Sequence, residues 1–199
     1  TIDAAVAAMR GKGGTEVTIQ VLRGDTTLEF TLKRAKIILQ TVKSEILDGQ
    51  IGYIRISSFE KHTAEDFRKA LRNMELNGVK GLVIDLRDNP GGLVDVCIEI
   101  ADALLPEGII TYTEDRHGQR NYFTSDPGAT EIPFVVMING GSASASEIVA
   151  AAVKDSEPGK IVGTTSYGKG IIQEIVELNN GRATKLTVMQ YFSPKGNVI

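Results

Sequence analysis

Apolar and polar positions alternate with period two over residues 15–22 and again over 28–32. This predicts two strands turned by Gly24-Asp25. Before them, residues 1–10 put Ile2, Ala5, Val6 and Met9 on one helical face, closed by Gly11-Lys12-Gly13-Gly14. Residues 37–42 and 51–56 read as strands about the turn Asp48-Gly49-Gln50. Thr63-x-x-Asp66 then has the form of a capping box opening a helix with Ala64, Phe67, Ala70, Leu71 and Met74 on its buried stripe. Asn77-Gly78 stops that helix, and 81–86 follows as a buried strand, so the strand, helix, strand order predicts parallel pairing. A helix over 93–105 carries Leu93, Cys97, Ile100, Ala101 and Leu104 at core spacing, and 109–113 with 120–124 flank the hairpin turn Asp115-Arg116-His117-Gly118. The apolar run 133–138 suits a strand buried on both faces, and it leads into helix formers over 146–153. After Pro158-Gly159 come a strand at 160–162 and a hairpin of 171–178 with 183–192 around Asn179-Asn180-Gly181. The expectation is a mixed α/β fold, α+β in part, with a central sheet flanked by helices.

Composition narrows the class. The chain has 199 residues, 42% of them apolar, and this is enough for a sizeable core. A net charge of −3 leaves no basic footprint for nucleic acid, and no apolar run approaches the roughly 18 residues of a membrane span. The single cysteine, Cys97, excludes an internal disulfide framework and reads as a small buried hydrophobe. No signal peptide opens the chain; it starts in mid-pattern at Thr1-Ile2-Asp3 and is expected to be the interior of a longer protein.

Candidate chemistry concentrates in two stretches. In Ile138-Asn139-Gly140-Gly141-Ser142-Ala143-Ser144-Ala145-Ser146-Glu147, three serines sit on a predicted strand-to-helix turn. There a hydroxyl can face a cleft at the end of a sheet, with helical N–H groups beside it. These residues alone fit helix capping by Ser142 or Ser144 equally well. The second stretch, 163–170, sets Lys169 between Gly168 and Gly170 and is followed by Ile171, Ile172 and Gln173.

Taken together, G-S-A-S-A-S-E-I and Y-G-K-G-I-I-Q resemble the carboxyl-terminal processing peptidases, or tail-specific proteases. These are serine enzymes with a lysine general base and an accompanying PDZ domain. The resemblance implies Ser144 as nucleophile, Lys169 as base and Gln173 as the group orienting it, in a protease core over 36–199 that is cut short at its C-terminus. Leu86-Arg87-Asp88-Asn89-Pro90-Gly91-Gly92 resembles the family's L-R-x-N-x-G-G segment and implies the amides of Gly91 and Ala145 as oxyanion donors. The motif identifies the loop more firmly than which of its two glycines donates. Residues 1–35 resemble the C-terminal half of a PDZ module, without the loop that would hold a peptide carboxylate.

The implied activity is endoproteolysis of proteins near their C-terminal ends through an acyl-enzyme, with no metal or organic cofactor. Partners would be protein or peptide substrates with exposed C-termini, with room for membrane-associated regulators and for oligomers, and no nucleic acid. The implied location is the bacterial cell envelope, periplasmic or secreted, with organelle relatives as the alternative. A serine can attack a peptide carbonyl only if a neighbour takes its proton, and a lysine can do so only when neutral, which an apolar pocket favours. Such a pocket is expected from Ile171 and Ile172.

Three other readings compete. Gly163-x-x-x-x-Gly168-Lys169 copies most of a phosphate-binding loop, with 82–85 as its magnesium strand, but Gly170 stands where Ser or Thr belongs and 171–176 reads as strand rather than helix. A histidine triad would need His62 or His117, both of which read as surface residues. A noncatalytic peptide-binding scaffold is the third.

Overall fold

The computed structural model describes residues 1–199, apart from the side chain of Asn180. The chain divides into two compact units, Thr1–Gln40 and Thr41–Ile199.

In the first unit, helix α1 (Ile2–Met9) is capped by Thr1, whose hydroxyl accepts from Ala4 N–H. Strands β1 (Glu16–Arg23) and β2 (Thr26–Lys33) form an antiparallel hairpin. Arg34 fastens the helix end to the hairpin, donating to the carbonyls of Ala8, Met9 and Glu16 and to the Thr15 hydroxyl. This is the helix-plus-hairpin order read from the pattern.

The second unit begins with β3 (Val42–Leu47) and β4 (Ile51–Ile56), an antiparallel pair. The strand expected over 37–42 is displaced: of these residues only Val42 enters β3, and Ile37, Ile38 and Leu39 are exposed. An apolar run predicts a strand only where a partner covers it.

Helix α2 (Thr63–Leu76) buries Ala64, Phe67, Ala70, Leu71 and Met74, the stripe read from the sequence. Its expected capping box is not formed. The N-cap position falls one residue earlier, at His62, and the Thr63 hydroxyl instead bonds Thr41 at 2.7 Å and accepts from Glu60 N–H at 2.9 Å.

Next come β5 (Gly81–Asp85), α3 (Val94–Asp102), the hairpin of β6 (Gly108–Asp115) and β7 (Arg120–Ser125), β8 (Phe134–Ile138), α4 (Ala145–Ser156) and β9 (Gly159–Gly163). The long hairpin of β10 (Ile171–Leu178) and β11 (Arg182–Phe192) follows.

The central sheet has the order β3-β4-β5-β8-β9, parallel from β4 onward, and a second, antiparallel sheet runs β10-β11-β6-β7. Helix α2 packs on β3 and β4, α4 on β8 and β9, and α3 touches α2, α4, β6 and β7. One apolar core joins these layers through fully buried Phe59, Phe67, Ile84, Leu86, Ile100 and Ile148. The fold is therefore a mixed α/β sheet with helices, and the carboxyl ends of parallel β5 and β8 both open into the loops that carry the sequence motifs. Among the described residues no helix is long and apolar enough to cross a membrane.

Candidate active site

Strand β8 passes into α4 through a sharp turn whose three serines have different tasks. Ser142 is fully buried; its hydroxyl donates to the Leu86 carbonyl at 2.8 Å and accepts from Asn139 N–H at 3.0 Å, tying the turn to the end of β5. Ser146, also fully buried, donates to the Asn89 carbonyl at 3.0 Å. Ser144 is half-buried, and among the described residues its hydroxyl donates to no acceptor.

Its backbone is strained, at φ 56° and ψ −115°. Such a conformation costs of order 1–3 kcal/mol and persists where surrounding bonds enforce it. A strained serine between a strand and a helix is the geometry that lifts a nucleophile out of a sheet.

Glu147 supplies much of the enforcement. Only 4% of it is exposed, and its carboxylate accepts the N–H groups of Ser144 at 2.9 Å, Gly168 at 2.6 Å and Lys169 at 2.8 Å. Burial by itself would raise this carboxyl. The Lys169 amide, the Ser166 hydroxyl and the amides of Gly168 and Ser144 outweigh it and hold the group below its ordinary value. The loop is further pinned by Tyr167 N–H donating to the Ser142 carbonyl at 3.0 Å. Sequence reasoning passed over Glu147. The available signal was the spacing Ser144-x-x-Glu147, a capping-box pattern.

The structure thus brings the Lys169 backbone to the Ser144 turn, but it does not join their side chains: no hydrogen bond links them among the described residues. The expected apolar pocket is absent around the amine. Lys169 is exposed, because its loop is held through backbone groups and no element covers the side chain. Gln173 is not brought to the amine either. It lies exposed on β10, where a register shift follows Ile172, and its amide donates to Thr187 Oγ1 at 3.4 Å.

The glycine loop after β5 does reach the serine. A Cβ on Gly91 would lie 2.9 Å from Ser144 Cβ and 3.1 Å from Ala145 N, and Gly91 has φ +101°, so this approach requires glycine. The Gly91 N–H, however, is already committed to Asn89 Oδ1 at 2.9 Å, which conflicts with its expected role as an oxyanion donor. Gly92 and Ala145 have N–H groups with no acceptor among the described residues, and Ala145 is the first residue of α4, where such orphans are expected.

At the end of β5, fully buried Asp85 accepts from Arg87 Nε at 2.9 Å, Arg87 Nη2 at 2.8 Å and Tyr53 at 2.6 Å. Burial opposes ionisation, yet these partners hold its carboxyl down at about 2. Asp85 is thus spent on an arginine. Because Ile171–Leu178 is a strand, the Lys169 loop also lacks the helix N-terminus a phosphate loop needs. A cleft of about 960 Å³ between α4, β9 and residues 193–199 is lined by Glu147 and Gly168 but not by Ser144 or Lys169.

Residues 50–199 match the model of peptidase family S41, and the chain belongs to that family. It is 40% identical over 202 residues to the carboxyl-terminal-processing protease of Synechocystis sp. (strain ATCC 27184 / PCC 6803 / Kazusa), covering 98% of this chain and 47% of that protein. It is likewise 40% identical to the carboxy-terminal processing protease CtpB of Bacillus subtilis (strain 168), covering 98% and 42%. The chain therefore spans about half the length of these relatives. Among solved structures, the photosystem II D1 C-terminal processing protease superposes with a TM-score of 0.75 at 31% identity, covering 94% of this chain and 53% of that one.

Proposed function

We propose that the protein is a serine endopeptidase cleaving protein chains near their C-terminal ends, with Ser144 as nucleophile and Lys169 as general base. The observation that carries this reading is the division among the three serines: Ser142 and Ser146 donate their hydroxyls to carbonyls, while the hydroxyl of the strained Ser144 between them donates to no acceptor among the described residues.

In the proposed reaction Ser144 Oγ attacks the peptide carbonyl as its proton passes to the neutral Lys169 amine, forming a tetrahedral oxyanion. The intermediate expels the new amino terminus, which takes the proton back from Lys169. Water then attacks the acyl-enzyme, giving one proton to Lys169; the second tetrahedral intermediate collapses as Lys169 returns that proton to the leaving Ser144 Oγ, and the released carboxylic acid ionises to solvent. The amine has to turn toward Ser144 for this. Catalytic hydrogen bonds often close only once substrate is bound, and here the loop backbone is already anchored beside the nucleophile. Gln173 would orient the amine once it turns inward.

For the oxyanion we assign the amides of Ala145 and Gly92, with Gly92 in place of the Gly91 amide that Asn89 holds. The Gly91 carbonyl accepts from Phe59 N–H at 3.0 Å, so across a trans peptide the Gly92 N–H points the opposite way, and Gly92 is exposed there.

Residues 1–35 are proposed as part of a PDZ module. Relatives that include the chloroplastic carboxyl-terminal-processing peptidase 2 of Arabidopsis thaliana, 36% identical, support a site of action outside the cytosol or in an organelle.

Peptide cleavage by the wild type, Ser144→Ala and Lys169→Ala tests the mechanism: both variants should be inactive, and full activity in Lys169→Ala would remove it.

A further inference from the structure

Five hydrogen bonds hold Asn89: its N–H donates to the Leu86 carbonyl at 3.2 Å, and four others reach Gly91, the end of β4 and the Ser144 turn. Its side-chain Nδ2 donates to the Ile56 carbonyl at the end of β4, at 2.9 Å, and its Oδ1 accepts from Gly91 N–H at 2.9 Å. Its own carbonyl accepts from Ala143 N–H at 3.0 Å and from the Ser146 hydroxyl at 3.0 Å, one residue before Ser144 and two residues after it. The residue is fully buried. Because the Nδ2 bond to a carbonyl fixes which end of the amide carries oxygen, Oδ1 is held toward Gly91 and cannot exchange places with the amino group.

We propose that Asn89 is a positioning residue for the oxyanion site, aiming the Gly92 N–H at the carbonyl under attack by holding the Gly91 N–H and the Ser144 turn in one frame. The proposal rests on the reading of Ser144 as nucleophile. Peptide 91–92 can rotate about its two flanking bonds, and both of its glycines have positive φ, +101° and +145°, so the chain itself restrains it little. Asn89 holds its Gly91 end, and Phe59 N–H bonded to the Gly91 carbonyl holds its middle. The Asn89 carbonyl meanwhile fixes Ala143 and Ser146, so the Gly92 and Ala145 amides, from different loops, are set from a single residue. Among the described residues the Gly91 N–H bonds to no second acceptor. Without Asn89, that N–H becomes a competing donor and peptide 91–92 is held by the Phe59 bond alone.

The test separates binding of the tetrahedral state from binding of the ground state. A peptide boronic acid that bonds to Ser144 reports the first, and the same peptide ending in an ordinary carboxylate reports the second. In Asn89→Ala the boronate affinity and kcat should fall together by about 100-fold or more, the size expected for one oxyanion donor. KM and the affinity for the carboxylate peptide should stay within about threefold. An equal loss of both affinities, as general loosening of the loop would give, overturns the proposal, and so does unchanged kcat.

If Asn89→Ala does not fold, the structure of the wild type bonded to the boronate decides. The boronate oxygen should lie within hydrogen-bonding distance of the Gly92 and Ala145 nitrogens while Asn89 Oδ1 still accepts from Gly91. An oxygen bonded to Gly91 N–H instead, with the Asn89 bond broken, sinks the proposal. A boronate that forms no bond to Ser144 overturns the nucleophile reading, and the Asn89 proposal with it.

Discussion

The backbone N–H of Ser144 and that of Lys169, 25 positions apart in the chain, end on the same oxygen, Oε2 of Glu147, at 2.9 and 2.8 Å. One buried carboxylate therefore sets the spacing between the proposed nucleophile and the loop bearing its base. In Glu147→Gln one acceptor oxygen becomes an NH₂ group facing amide donors, so part of this fastening is lost. Hydrogen bonds to a charged group contribute about 1.5–3 kcal/mol each. We expect stability to fall by about 2 kcal/mol in chemical denaturation. Turnover should fall by about 100-fold, since a misplacement near 1 Å suffices for that. Wild-type kcat in this variant would show that the shared oxygen does not govern the pair.

Ser142→Ala and Ser146→Ala should behave quite differently from Ser144→Ala. Removing the Ser142 hydroxyl takes one of two donors from the Leu86 carbonyl and leaves the Asn139 N–H without its partner, and removing that of Ser146 takes one donor from Asn89. A loss of about 1–3 kcal/mol in thermal or chemical unfolding follows from leaving buried groups unpaired. Labelling of Ser144 by a fluorophosphonate should persist in both variants and vanish only in Ser144→Ala. Loss of labelling in a folded Ser142→Ala would contradict this separation of tasks.

Much of the fold could be read from the sequence because its signals are local. Period two marked β1 and β2, the stripe Ala64, Phe67, Ala70, Leu71 and Met74 marked α2, and the apolar run before Ile138 marked β8. Where a residue's partner is distant, the reading failed. Thr63 resembled a cap until Thr41 claimed its hydroxyl, and 37–42 resembled a strand of which only Val42 is paired in a sheet. The serine and lysine motifs pointed to two loops that the fold does bring together. They could not reveal that Asn89 already holds the Gly91 amide, or that Glu147 is the joint, because both facts depend on which segments meet.

Gln173 gives a prediction that separates orientation from stability. It is exposed, and the one side-chain hydrogen bond it makes among the described residues, to Thr187, is long at 3.4 Å. Replacing it with alanine should therefore change stability by less than about 0.5 kcal/mol. If it turns to steady the Lys169 amine during turnover, Gln173→Ala should lose about tenfold in kcat at unchanged KM, far less than Lys169→Ala. Steady-state kinetics beside a thermal melt would check both parts, and an unaltered kcat would leave Gln173 outside the mechanism.

Acid stability should report the Asp85 cluster. The ordinary value of this carboxyl is 3.8, and in the folded protein it lies at about 2, with burial opposing ionisation but outweighed by Arg87 and Tyr53. Between those values the unfolded chain binds the proton more readily than the native one, so stability rises with pH across this window. The contribution is complete above about pH 4 and is lost as pH falls through about 2. A shift of this size corresponds to about 2 kcal/mol. Glu147 is displaced in the same direction and adds to the same slope. In Asp85→Asn the guanidinium of Arg87 loses its carboxylate, so stability at neutral pH should drop by about 1–3 kcal/mol. The variant should then lose less than the wild type on acidification from pH 4 to pH 2. Denaturant titrations at a series of pH values would measure both, and parallel acid profiles for the two proteins would count against a depressed Asp85.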